Sequence, residues 1–120
     1  MGTPLEVSLL AGWEDVHKKS QLTLWILLAL KQHPKSMSAV KDFIHLRTND
    51  TISADDKSMY RALRRFAEAN LITATLEANP AGPDIKIWSL TSSGNVVLKE
   101  FITRNIQSVL LRNDNAELWR

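Results

Sequence analysis

Residues 55–72, DDKSMYRALRRFAEANLI, decide how this chain is read. The stretch holds three arginines and a lysine within a helical rhythm of apolar positions. At about 100° per residue, Met59, Ala62, Leu63, Phe66 and Asn70 gather on one face. Lys57, Arg61, Arg64 and Glu68 lie opposite, with Ser58 and Arg65 on one flank and Tyr60 on the other. A greasy underside that holds cations outward suits the major groove of a duplex, but it also suits a surface helix whose wet side is charged. The sequence around the stretch has to separate the two.

Helical spacing upstream covers roughly residues 21–32, ending before Pro34, and then about 38–46, where Val40, Phe43 and Ile44 supply an i, i+3, i+4 stripe. RTNDTIS, residues 47–53, breaks that pattern. Ser53 with Asp56 three residues on has capping-box spacing, so a third helix is expected over about 53–70. Asn70 tolerates the left-handed geometry common just past a helix end. LITATLEA and IKIWSL then flank the turn formers NPAGPD and predict a β-hairpin. Thr91 or Ser92 can cap a last helix with Leu98, Ile102, Ile106 and Val109 or Leu110 as its stripe. Three helices followed by a hairpin are the element order of a winged helix-turn-helix, a mainly α fold with a small β-hairpin.

Composition narrows the function classes. A chain of 120 residues, 44% apolar, has room for one domain with a single core. Without cysteines it has neither disulfides nor thiolate metal sites, and His17, His33 and His45 are too scattered to be a ligand set. No Ser-His-acid spacing, phosphate-cradling glycine loop or paired-carboxylate cleft points to an enzyme, and no cofactor is expected. The longest apolar run, LTLWILLAL at residues 22–30, is less than half a membrane span and reads as a buried helix. The N-terminus lacks the pattern of a secretory signal, so a cytoplasmic location is expected; Leu5, Val7, Leu9, Leu10 and Trp13 read instead as an amphipathic packing segment. Net charge is only +2, yet eight cations and four anions fall between Lys31 and Arg65, which concentrates positive potential in the middle of the chain.

Residues 20–112 resemble the PadR family of winged-helix transcriptional regulators. The most specific parts are MYRALRRFAEANLI, similar to the family's tyrosine-bearing recognition helix and the turn after it, and WSLTSSGNVVL, similar to its aromatic-x-Leu-Thr-x-x-Gly signature. The resemblance implies a homodimer on operator double-stranded DNA, usually as a repressor, with one recognition helix per subunit and an added C-terminal helix that helps dimerise. Carried onto this sequence, Lys57, Ser58, Tyr60, Arg61 and Arg64 become the DNA-facing residues. Lys57, Ser58 and Arg61, nearer the helix start, suit base edges, whereas Arg64 and Arg65 suit phosphates. Tyr60 fits equally a packed ring with a wet hydroxyl and a phosphate-bonding hydroxyl.

Three divisions follow: an N-terminal amphipathic segment over 1–19, a winged helix-turn-helix over 20–91 and a dimerisation helix over 92–120. The C-terminal stripe could simply complete the monomer core, the more common fate of an amphipathic helix. Yet Val96, Val97, Phe101 and Leu111 widen its apolar surface, and a winged helix this small has few places to bury them, so Trp13, Leu98, Phe101, Ile102, Ile106, Val109 and Leu110 are the expected dimer interface. Trp13, Trp25, Trp88 and Trp119 raise a small aromatic effector, since some members of the family hold flat compounds between tryptophans; core packing explains Trp25 and Trp88 more simply, and no effector is assigned. The chain departs from the family pattern at KQHPKSMSAV, which lacks a His-Gly-Tyr-like element, at Asn70, where glycine is usual, and at Trp88, where tyrosine is. Its wing offers Lys86 beside Ala81 and Asp84, with no arginine to enter a narrow minor groove. The arginine-poor wing and the acidic start of the third helix support an alternative: a winged-helix module that binds protein and has lost DNA.

Overall fold

The computed structural model describes residues 2–120. Helix α1 (Pro4–Gln32) opens with a capping box: Thr3 Oγ1 accepts the Glu6 amide at 3.2 Å and Glu6 Oε1 accepts the Thr3 amide at 3.2 Å. It starts 17 residues earlier than the apolar spacing indicated. The segment expected to pack is therefore the projecting first half of a 29-residue helix. Leu5, Val7, Leu9, Leu10, Trp13 and Val16 are all exposed there, while Leu24, Ile26, Leu27, Ala29 and Leu30 enter the core.

Pro34 stops α1, and Lys35 closes it. The Lys35 ammonium reaches back to the Ala29 carbonyl (2.6 Å), the Gln32 Oε1 (2.8 Å) and the His33 carbonyl (3.3 Å), satisfying helix-end carbonyls at the negative pole of the dipole. Lys35 is buried, so its ammonium is not one of the outward-facing cations. Burial, with the nearby charge of Arg47 adding, lowers its pKa from the ordinary value.

Helix α2 (Met37–Arg47) is capped by Ser36 and ends at Thr48, whose hydroxyl donates to the Ile44 carbonyl at 2.6 Å. Asn49 and Asp50 both take positive φ, and His45 pairs with Asp50 across the turn. Ile52 is then driven into the core, so the chain is still turning where Ser53 had been expected to cap a helix. Helix α3 (Asp56–Glu68) is capped instead by Asp55, whose Oδ1 accepts the Ser58 amide at 2.7 Å. Met59, Ala62, Leu63 and Phe66 are its buried face, as the periodicity indicated, whereas Asn70, placed on that face by the same reasoning, lies exposed past the helix end with φ 61°.

Strands β1 (Ile72–Glu77) and β2 (Ile85–Leu90) pair antiparallel, from Ile72 with Leu90 out to Glu77 with Ile85. Only Ile72 and Trp88 are buried, so the rest of the hairpin projects as a wing. Lys35 adds a short third ladder position, exchanging backbone hydrogen bonds with Trp88 at 3.0 and 2.8 Å. This bridge ties the wing's second strand to the α1–α2 connection.

Helix α4 (Ser92–Ile102) is capped by Thr91. The Thr91 hydroxyl donates toward the carbonyls of Asn70 (2.7 Å) and Leu71 (3.0 Å) and accepts the Gly94 amide at 2.9 Å, joining the end of α3, the root of the hairpin and the start of α4. Gly94 is required here: a Cβ would run into the Leu71 carbonyl oxygen and come within 2.9 Å of its carbon. Beyond Ile102 the chain continues as π-helical turns (Thr103–Leu110) and a short α5 (Asn113–Ala116). The wider turns interrupt the stripe read from α-helical spacing: Leu98 is buried, Ile102 and Ile106 are half-buried against the core, and Val109 and Leu110 face outward.

Candidate nucleic-acid interface

The structure turns α3's cations outward. Lys57, Ser58, Arg61, Arg64 and Arg65 are exposed, and Tyr60 is 43% exposed at the flank nearest the wing. The packed underside fixes the helix axis, while the charged side chains stay long and free enough to adjust. Among the described residues, Lys57, Arg61 and Arg65 have no carboxylate partner. Arg64 lies 3.3 Å from Glu68, an i,i+4 pair with both side chains two-thirds exposed and therefore readily exchanged for a phosphate.

The two acids at the helix start have local duties. Asp56 is paired with Lys41 of α2. Asp55 caps Ser58; the amide bond and the Ser58 hydroxyl lower its pKa first, and the positive charges of Arg61 and Lys41 lower it further. The capping role does hold Asp55 on the helix end. Lys41, counted on sequence grounds as part of the positive field, is largely neutralised by Asp56.

Lys86, the one cation of the wing strands, lies with its Nζ 5.7 Å from the Tyr60 ring and 5.7 Å from the Trp88 ring. Ser36, Met37, Ser38, Tyr60, Ile85, Lys86 and Trp88 line one open cleft between the start of α2, the flank of α3 and β2. Tyr60 thus contributes its ring to a cation–π contact while the residue stays 43% exposed. The sequence reading missed Ser36 and Ser38, which share this cleft; only the folded arrangement brings α2's first turn beside β2.

The expected dimer residues divide. Trp13 on α1 is 75% exposed, and Phe101, Val109 and Leu110 are about half exposed. Ile102 and Ile106 are spent partly inside the subunit. Leu98 at 2% is wholly a core residue of its own chain and offers no surface to a partner, correcting its assignment to an interface. Trp25 and Trp88 pack in or against the core, as the simpler reading had it.

A helix-turn-helix whose second helix presents cations, followed by a two-stranded wing bridged to the helices, is a winged helix-turn-helix. Solved structures share it. A PadR-family transcriptional regulator from Eggerthella lenta superposes with a TM-score of 0.71 at 17% identity, covering 97% of this chain and 96% of that one. A PadR-like transcriptional regulator from Bacillus cereus gives 0.68 at 24% identity over 85% of this chain and 95% of that one. Bacillus subtilis PadR in complex with operator DNA gives 0.64 at 21% identity over 70% of this chain, which spans 48% of that protein's length. No family model and no curated protein matches by sequence. The fold is therefore that of the PadR-like winged-helix regulators. Among the described residues no helix is long and apolar enough to cross a membrane.

Proposed function

We propose that this chain is a sequence-specific regulator that binds double-stranded DNA through α3 and represses transcription from a near-palindromic operator as a homodimer. The observation that carries the reading is the outward set Lys57, Ser58, Tyr60, Arg61, Arg64 and Arg65, all of them exposed on α3. Lys57, Ser58 and Arg61 read base edges from the first turns of the helix; Arg64 and Arg65 hold phosphates; Lys86 is the wing's contribution. The same fold in a PadR bound to operator DNA supports this.

Support for the homodimer comes from two exposed apolar surfaces: Leu5, Leu9, Trp13 and Val16 on α1, and Val96, Val97, Phe101, Val109 and Leu110 on α4 and its π-helical extension. A second copy related by a two-fold axis covers both and sets two recognition helices about one helical repeat apart. The test is selection of bound fragments from random duplex DNA by the purified protein. An inverted repeat is expected, and failure to retain any duplex at low salt overturns the reading. The wing, without arginine and with Lys86 turned toward Tyr60 and Trp88, favours one competitor, a winged-helix module that binds protein. The same low-salt measurement decides between them.

A further inference from the structure

Asp15, Lys18, Lys19 and Leu22 stand at i, i+3, i+4 and i+7 on α1, a spacing that puts all four on one face. Further along, that face carries Ile26 and Ala29, both fully buried. Over the two turns beside the start of α3, ahead of that buried part, the same line is mostly polar. There the four residues line one cleft of about 330 Å³ with Ser53, Ala54, Asp55 and Ser58. Lys19 pairs with Asp15 at 3.2 Å, an exposed contact worth little in water, and Lys18 has no carboxylate partner among the described residues. Asp55, the other acid of the cleft, is engaged in capping Ser58.

We infer that Lys18 and Lys19 form a second phosphate-binding edge, gripping the DNA backbone that flanks the groove entered by α3. The inference rests on the DNA-binding reading. Its geometric basis is that Ser58, which that reading aims at a base edge, shares its cleft with both lysines, so a strand passing α3's first turn passes their ammonium groups. A lysine is a mobile point charge and suits a contact that positions without specifying. The edge also supplies, on the side of α3 away from Lys86, positive charge that the wing lacks.

The experiment measures duplex binding against salt for wild type, Lys18→Ala/Lys19→Ala, Asp15→Ala and Arg61→Ala, with thermal melting of each as the fold control. The double variant should melt like wild type, bind specific and random duplex more weakly by the same factor, and show a log–log salt slope shallower by about 2 per bound subunit. Asp15→Ala, which frees Lys19, should bind more tightly than wild type. A double variant with an unchanged slope overturns this inference while Arg61→Ala sensitivity keeps the DNA reading. Wild type that binds no duplex at low salt overturns both.

Discussion

Replacing Gly94 by alanine tests how the helices and the wing are joined. The new methyl group would collide with the Leu71 carbonyl oxygen and approach Leu90 Cδ1 to 2.8 Å. The first obstacle is backbone, which cannot rotate aside as a side chain can. Moving the Leu71 carbonyl strains two bonds it accepts, from the Thr91 amide at 3.1 Å and the Thr91 hydroxyl at 3.0 Å. Each such bond is worth about 1 kcal/mol net, and overpacking adds about 1–3 kcal/mol. Alanine's better helix propensity returns about 1 kcal/mol, leaving a loss of about 3 kcal/mol. For a chain of this size that lowers Tm by roughly 10–15 °C. Gly12 supplies the converse: it is mid-helix in α1, and a Cβ there meets nothing within 4 Å. Gly12→Ala should therefore raise stability by about 0.5–1 kcal/mol. Urea and thermal melts followed by circular dichroism measure both. Equal effects of the two substitutions, or a Gly94→Ala Tm within about 2 °C of wild type, refute the proposed close approach.

Lys35→Met keeps much of the buried stem but abandons the Ala29 carbonyl and Gln32 Oε1, and should cost about 1–3 kcal/mol in a urea melt, an unusually large effect for removing a lysine. Asp55→Ala should destabilise the protein above the ordinary aspartate pKa of 3.8. Because the folded value is lowered, wild type's advantage is complete above 3.8 and shrinks as the pH falls through the folded value; pH-dependent melts showing the reverse slope would count against the cap. Arg61→Ala and Arg64→Ala should each weaken operator binding in fluorescence anisotropy while melting normally, against a wild-type salt slope of about −5 to −7 for a dimer. Trp13→Asp or Phe101→Asp should yield monomers by light scattering at micromolar concentration, where the proposed homodimer should hold wild type together; a monomeric wild type would refute it.

The sequence was most informative where one physical requirement acted alone. On α3 the apolar period named all four buried residues, because a helix with one wet face must place them there. The hairpin was equally plain, since two β-rich runs around NPAGPD leave little choice. It was less informative where two local signals competed. Ser53 and Asp55 are both good caps, and only the burial of Ile52, a long-range demand, decides for Asp55. Lys35 looks like any surface lysine until the end of α1 and the Trp88 backbone are placed around it. The length of α1 was hidden because its first half answers to no core, so its apolar residues show no inward stripe. The spread of the C-terminal stripe was misjudged because spacing presumed 100° per residue where the chain takes wider turns.

The single-piece build of α1 has a mechanical result. At about 1.5 Å per residue its 29 residues form a rod of roughly 43 Å with no proline or break inside it. Its last turns are packed against α2, β2 and α4, and the apolar residues of its first turns are exposed. A tilt of about 3° displaces a point some 20 Å along such a rod by about 1 Å, comparable to the tolerance of a hydrogen bond. A load on the free end of this lever is therefore carried into the packing of its last turns against α2, β2 and α4.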